Sequence, residues 1–427
     1  MTAAAEPALA RSNRGLARIV LASLVGTTIE FYDFYIYGLA AALVLGPMFF
    51  PKAAPETQSL NAFLTFGVAF VARPVGALLF GHFGDRIGRK ATLVASMLVM
   101  GVSTTLIGFL PGFATLGVAA PWVLCLLRFG QGVGLGGEWG GAALIATENA
   151  PDGRRAWFGM FPQLGPPIGF FLANGLFLIL ILTFGEQAFV DWTWRIPFLF
   201  SAVLVLIGLY LRVSISETPA FDAILRQRRR VALPSAVVIT RYAPQLLQGT
   251  FAIVVCYALF YITTVFALSY GVGQQHIPRP TFLAMLCAAA LCMAIASPIS
   301  AALADRYGRR PVLLVASLLA AIIGLLLPVL LSGGVATTLL FVCLSLAVMG
   351  LTFAPLGALL PELFPANVAY SGASIAYSLG GILGASLAPT IAQALQQWGG
   401  LNYVGFYIVV AAALSFVSLL TVKEQRK

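Results

Sequence analysis

The residues best equipped for chemistry stand where an apolar chain should not carry them. Glu30, Asp33, Arg73, Arg128 and Glu138 each interrupt a long hydrophobic run in the first part of the sequence. An ionisable side chain among lipid-like neighbours costs about 3 kcal/mol or more, so it faces a cavity or a partner and marks a functional site. At about 100° per residue on a helix, Gly26, Glu30, Asp33 and Tyr37 share one face. On a second helix Arg128, Gln131 and Glu138 fall within roughly 80° of one another. A carboxylate beside an arginine can trade that partner for a proton or for a substrate. Asp33, Glu30, Arg128 and Glu138 are therefore the expected proton-coupling set, with Asp33 the carrier and Arg128 its partner. Arg73 and Arg128 are the expected anion-binding groups. A static ion-pair network that stitches helices together is the competing account of the same residues.

The rest of the chain contributes neutral groups. Phenols and amides among apolar walls suit the ring or hydroxyls of a small ligand, which makes Tyr37, Gln163, Asn174, Gln248, Tyr257, Tyr261 and Tyr377 the expected substrate contacts. Arg195, close to the end of an apolar run, is expected to anchor at an interface rather than bind.

The elements that must position these groups follow from composition. Of the 427 residues, 60% are hydrophobic and 9% charged, against roughly 25% charged in a soluble domain. A membrane helix needs about 20 mostly apolar residues. About twelve such stretches are predicted, at 17–46, 60–83, 91–111, 119–147, 157–183, 193–213, 244–271, 281–304, 311–332, 335–361, 370–395 and 401–422. The expected fold is all-α and polytopic, with two six-helix bundles. The N-terminal segment is 1–16, the bundles 17–213 and 244–422, the central loop 214–243 and the tail 423–427. Lys and Arg accumulate in cytoplasmic loops. One alternate set of loops holds the N-terminal arginines, Arg86, Arg89, Lys90, Arg154, Arg155, the cluster at 226–230, Arg306, Arg309, Arg310 and the terminal lysines. Both termini and the central loop are thus expected in the cytoplasm. The net charge of +10 is topogenic, and no nucleic-acid partner is expected.

An internal repeat is visible. Gly81-His-Phe-Gly-Asp85-Arg86-Ile-Gly88-Arg89-Lys90 recurs as Ala301-Ala-Leu-Ala-Asp305-Arg306-Tyr-Gly308-Arg309-Arg310. Glu148-Asn-Ala-Pro151 recurs as Glu362-Leu-Phe-Pro365, and Gly165…Gly169 as Gly380…Gly384. An even number of spans per half makes these parallel repeats, with the site between them at mid-membrane. The duplicated turn puts charges at the membrane edge, where carboxylates can meet helix N-termini and arginines can pair with carboxylates. The expected gate comprises Gly81, Asp85, Arg86, Gly88, Arg89, Glu148, Glu217, Asp305, Arg306, Arg309 and Glu362.

Other chemistry is excluded or discounted. The five cysteines lie in apolar runs with no CxxC, and His82 and His276 are too far apart in sequence for a metal cluster, so no metal and no disulfide framework are expected. Gly132-Val-Gly-Leu-Gly-Gly137 fits a dinucleotide fingerprint, but that motif needs a strand before it and a βαβ unit around it. Its glycines are expected to allow close helix packing. No nucleophile–base–orienter set lies outside the spans, so no enzyme is expected.

The duplicated turn, with Glu30-Phe-Tyr-Asp33-Phe, Arg73-Pro-Val-Gly76, Gly136-Gly-Glu138-Trp-Gly-Gly141 and Trp194-Arg-Ile-Pro-Phe198, resembles the major facilitator superfamily and, within it, the metabolite–proton symporters, which include shikimate, α-ketoglutarate, citrate and proline/betaine transporters. Phe80-Gly-His-Phe-Gly-Asp-Arg and Thr264-Val-Phe-Ala-Leu-Ser-Tyr270 are most similar to the shikimate branch. The resemblance implies import of a small carboxylate or zwitterionic metabolite by alternating access. It implies protons as the coupling ion with no other cofactor, a bacterial inner membrane location and a monomer in the bilayer. Drug–proton antiport, and a receptor built like a transporter, are the alternative readings.

Overall fold

The chain forms helices because a span in lipid must satisfy every backbone N–H and C=O within itself. The structure, a computed structural model, describes residues 13–51, 55–87, 89–213, 234–365 and 368–423. Among them eleven helices are long and apolar enough to cross a membrane: Val20–Phe49, Leu60–Phe80, Thr92–Phe109, Arg155–Asp191, Thr193–Tyr210, Ala243–Gly273, Arg279–Tyr307, Arg309–Ser332, Val335–Glu362, Ala369–Gly399 and Leu401–Thr421. The stretch predicted as one fourth span is interrupted. It consists of helix Ala119–Gly136 and helix Trp139–Glu148, with Gly137 and Glu138 between them. Counted as the fourth span, it completes the predicted set. The predicted loop 214–243 contains a short helix, Pro234–Arg241.

The polarity is that of a soluble protein turned inside out. Leu126, Leu182, Leu206 and Val329 are about two-thirds exposed on the outside, while Glu30, Asp33, Arg73, Arg128, Glu138, Gln163 and Asn174 are all at or below 1% exposure. The first span packs on the fifth and sixth, the second and third on the fourth. In the second group the seventh packs on the eleventh and twelfth, and the tenth on the eighth and ninth. Between the groups, the fifth span meets the eighth and tenth, and the second meets the eleventh.

Glycines set the closest of these approaches. A Cβ at Gly132 would lie 2.1 Å from the Ala69 carbonyl oxygen, and one at Gly136 would lie 2.0 Å from that of Arg73. The glycine run that imitates a nucleotide motif therefore seats the fourth span on the second, and carries Arg128 and Arg73 into one layer. Beyond the break at 137–138 the chain turns to the other group. The Tyr370 hydroxyl donates to the Gly137 carbonyl, and Gly140 lies against Ser374.

Three spans widen locally into π-helix, at Ala41–Leu45, Ile262–Phe266 and Ile382–Ser386. The first two stand at equivalent places in the repeat. Such bulges shift the facing of side chains along a helix and occur often at functional sites. Gly308, in the second copy of the charged turn, has φ 100 and ψ 154, a conformation that a residue with a Cβ rarely adopts. Its counterpart Gly88, and Glu217, lie outside the described residues. So do the side chains of Asp85, Arg86 and Arg89, and Gly81 is described only as part of helix Pro55–Ile87.

Candidate functional site

Arg73 comes from the second span and points across the boundary between the two groups of helices. Its guanidinium carbon lies 4.4 Å from the Phe70 ring centroid, 4.7 Å from that of Phe34 and 5.8 Å from that of Tyr377. One terminal nitrogen, Nη1, donates to the Tyr257 hydroxyl at 3.3 Å. Nε and Nη2, which form the side-on edge of the guanidinium, have no hydrogen-bond partner among the described residues. A buried cation normally has its donors satisfied. This one keeps a two-point donor edge free, the fork that matches a carboxylate.

The walls around it come from both groups. Tyr257 and Tyr377 meet edge to face at 5.4 Å, and Tyr257 stacks near Tyr261 at 6.3 Å. Trp139 lies flat on Tyr377, with centroids 4.1 Å apart and planes 9° from parallel, and its N–H donates to Gln163 Oε1 at 3.2 Å. Gln163 Nε2 has no partner among the described residues. Asn174 uses its amide N–H on the Phe170 carbonyl at 2.8 Å, which leaves Oδ1 without one. Among these predicted contacts, Arg73, Tyr257, Tyr261, Tyr377 and Gln163 thus form one aromatic and polar cluster. Gln248 does not join it. Its amide donates to the carbonyl and hydroxyl of Thr421, both at 3.1 Å. It lies two turns before Tyr257 on the same helix, too far along to share that layer.

The second buried arginine is differently employed. Arg128 donates from Nη1 to Gln131 Oε1 at 2.7 Å and from Nη2 to the Phe66 carbonyl at 3.1 Å. It sits 3.8 Å over the Tyr37 ring, whose hydroxyl bonds Thr65 at 2.6 Å. The expected Asp33–Arg128 ion pair is not formed. Asp33 Oδ1 accepts from Ser201 on the sixth span at 2.6 Å, so the carboxylate and the guanidinium turn to different neighbours, with the Gln131 amide between them. Glu30 and Glu138 are buried in the same half. Arg195 donates to the carbonyls of Gly108 and Leu110, at 3.1 and 2.6 Å. It satisfies the end of the third span, as its expected structural role requires.

At one end of the bundle the repeated charged turn ties the groups together. Asp305 accepts from the backbone N–H of Ala156 and of Trp157, both at 2.9 Å, at the start of helix Arg155–Gln163. Glu362 pairs with Arg309 at 3.0 Å and with Arg155 at 3.9 Å. Of the other predicted gating residues, Arg306 is exposed and lies over its neighbour Tyr307, and Glu148 is exposed at the end of the broken fourth span. Arg306 makes no bond across the groups among the described residues, because its side chain extends along its own helix end.

Sequence reasoning missed Trp139, Phe34, Phe70 and Ser201. Trp139 had a signal, as a large aromatic inside the small-residue run Gly136–Ala142. Ser201 had a fainter one, as the lone hydroxyl in the middle of the sixth span. The two phenylalanines had none among 31 in the chain.

A bundle of this topology, with a buried polar layer between two repeated groups of spans, defines a membrane transporter rather than an enzyme. The chain belongs to the Major Facilitator Superfamily, whose family pattern matches residues 24–384 and again 250–427. It is 49% identical over 415 residues to the inner membrane metabolite transport protein YhjE of Escherichia coli (strain K12), covering 96% of this chain and 94% of that one. It is 36% identical over 421 residues to the shikimate transporter of the same organism (96% and 95% covered) and 32% identical over 420 to its proline/betaine transporter (96% and 84%). Among solved structures it is similar to the xylose transporter XylE from E. coli, with TM-score 0.73, 17% identity and 96% and 97% coverage.

Proposed function

We propose that the protein imports a small carboxylate metabolite together with protons, by alternating access across the bacterial inner membrane. The free Nε–Nη2 edge of Arg73 carries this reading. It is a permanent cation, buried between the two helix groups, with the donors for one carboxylate unspent and aromatic faces on both sides. The molecules named in the shikimate and proline/betaine relatives share one chemical group, a carboxylate, which agrees with this. A hydroxylated ring acid of the shikimate kind also suits the stacked aromatics and the unspent amide of Gln163.

In this mechanism Arg73 holds the substrate carboxylate and Tyr257, Tyr261 and Tyr377 close over it from the second half. Asp33 takes up and releases the coupling proton within the first half, with Glu30 and Glu138 in the same buried set. No other cofactor is required. The Asp305 and Glu362 contacts close one face, and their rupture opens it. The halves are 17–213 and 244–422, both termini and the central loop face the cytoplasm, and the protein works as a monomer in the bilayer. One charge falling through 100 mV supplies about 2.3 kcal/mol, enough for an accumulation of tens-fold.

The test is uptake of radiolabelled shikimate and other small carboxylates into proteoliposomes under an imposed pH gradient. Wild type should concentrate at least one acid. Arg73→Gln should abolish uptake and counterflow together. Asp33→Asn should abolish accumulation and keep counterflow, since the amide imitates the protonated acid. Undiminished uptake by Arg73→Gln would overturn the carboxylate clamp.

A further inference from the structure

Gln131 is buried to 1% exposure in the middle of the fourth span, and both ends of its amide are engaged. Arginine has no acceptor, so the atom facing Arg128 must be Oε1, at 2.7 Å. The amide nitrogen then faces the third and first spans, donating to Thr104 Oγ1 at 2.7 Å and reaching the backbone carbonyl of Asp33 at 3.5 Å. Thr104 can accept that bond because its own proton goes to the Met100 carbonyl at 2.9 Å. The orientation of the amide is thus fixed by chemistry. On the residue whose backbone carbonyl this amide reaches, the side-chain oxygen Oδ2 of Asp33 has no hydrogen-bond partner among the described residues.

We propose that Gln131 is the positioning residue through which the proton on Asp33 governs the hold on Arg128. This rests on the proton-coupled reading above and deepens it. An ionised carboxylate oxygen is a stronger acceptor than a backbone carbonyl or a hydroxyl, and charge-assisted bonds are roughly twice as strong as neutral ones. When Asp33 loses its proton, the amide nitrogen of Gln131 is drawn from the Asp33 carbonyl towards Oδ2. Because the amide is rigid and planar, the same turn withdraws Oε1 from Arg128 and frees Nη1. When Asp33 regains the proton the pull ends and the amide returns to Arg128. No covalent bond other than the O–H of Asp33 is made or broken. A neutral amide between the two charges lets Asp33 titrate without breaking a buried ion pair, whose rupture would cost several kcal/mol.

The surroundings leave few rivals for this role. The ionisable groups within the spans packed against Asp33 are Glu30, Tyr32, Tyr35 and Tyr37 on its own span, Arg73 on the second, and Cys125, Arg128 and Glu138 on the fourth. The third span has none from Ala91 to Phe109, the fifth none between Arg155 and Glu186, and the sixth none between Arg195 and Tyr210. The sixth presents the Ser201 hydroxyl to the carboxylate instead, bonded to Oδ1 at 2.6 Å.

The test uses the purified full chain and needs no substrate. Infrared difference spectra across a pH titration follow the Asp33 carboxyl, assigned by its loss in Asp33→Asn, and the Arg128 guanidinium, assigned with isotope-labelled arginine by its loss in Arg128→Lys. In wild type both bands should change together. In Gln131→Leu the Asp33 band should still titrate, its midpoint displaced by about one pH unit or more, while the Arg128 response falls at least fivefold. Gln131→Met, closer in length, is measured in parallel so that a folding defect in the leucine variant does not decide the result. An Arg128 band that follows Asp33 equally in a folded Gln131 variant overturns the proposal. In proteoliposomes, radiolabelled shikimate counterflow by the variants should stay within about threefold of wild type, while accumulation under a pH gradient is lost. A wild type that fails to accumulate any carboxylate, with both infrared bands still linked, counts against the symport reading and leaves the Gln131 link standing.

Discussion

Asp305→Asn tests the gate most sharply, because its contacts are few and all cross between the helix groups. The carboxylate accepts two backbone N–H bonds at 2.9 Å from the first turn of helix Arg155–Gln163. Hydrogen bonds to a charged group contribute about 1.5–3 kcal/mol each, and a negative charge at a helix N-terminus adds about 0.3–1 kcal/mol. Asparagine keeps one acceptor oxygen, turns the other position into a donor facing an N–H, and removes the charge. With a discount for partial exposure, the closed arrangement should weaken by about 2–3 kcal/mol, roughly 30- to 150-fold in its population relative to the open one. The Glu362 pairs with Arg309 and Arg155 remain, so the protein still folds and the gate still closes, less often. Spin labels at the exposed positions Asp152 and Tyr307, in a chain cleared of its five native cysteines, report the separation by electron–electron resonance. The variant should transfer population to a longer distance while substrate affinity stays within a few-fold, since Arg73 is not in this contact. A distance distribution unchanged within threefold would refute the capping argument.

Gly136→Ala would place a methyl 2.0 Å from the Arg73 carbonyl oxygen. The backbones must separate, overpacking of this kind costs about 1–3 kcal/mol or more, and a lower melting temperature together with weakened carboxylate binding is expected, with Gly175→Ala, where a Cβ meets nothing within 4 Å, as the neutral control. Trp139→Leu removes the face-to-face stack on Tyr377 and the bond to Gln163; carboxylate affinity, read by calorimetry, should fall about tenfold or more, and an unchanged value would remove Trp139 from the site. Gln248→Leu should leave transport within about twofold, because its amide is spent on Thr421. Single cysteines at Gln187 and His276 should label with an impermeant maleimide from outside, and those at Arg228 and Gly308 only from inside; the reverse pattern would invert the topology.

The sequence by itself determined the class of fold and much of the site's inventory. Hydropathy marked the spans because an apolar segment of about 20 residues can satisfy its own backbone in lipid only as a helix, and the repeat marked the halves because one six-helix unit was used twice. It also marked Glu30, Asp33, Arg73, Arg128 and Glu138, since ionisable groups in apolar runs are conspicuous. It predicted helix packing for the glycines of 132–137, and the contacts of Gly132 and Gly136 with the second span agree. What it could not assign was partnership. Helical spacing puts Asp33 and Arg128 on polar faces but says nothing about rotation of one helix against another, and a shift of one turn decides whether a carboxylate meets an arginine, a serine or an amide. Only the packed bundle showed that Ser201 holds Asp33, that Gln131 stands between Asp33 and Arg128, and that Gln248 belongs to the end of the twelfth span. Likewise only the packing separated the two arginines, because which donors of a guanidinium are spent depends on carbonyls and hydroxyls from spans far away in sequence. Arg128 has both terminal nitrogens engaged, whereas Arg73 keeps an open edge between the halves.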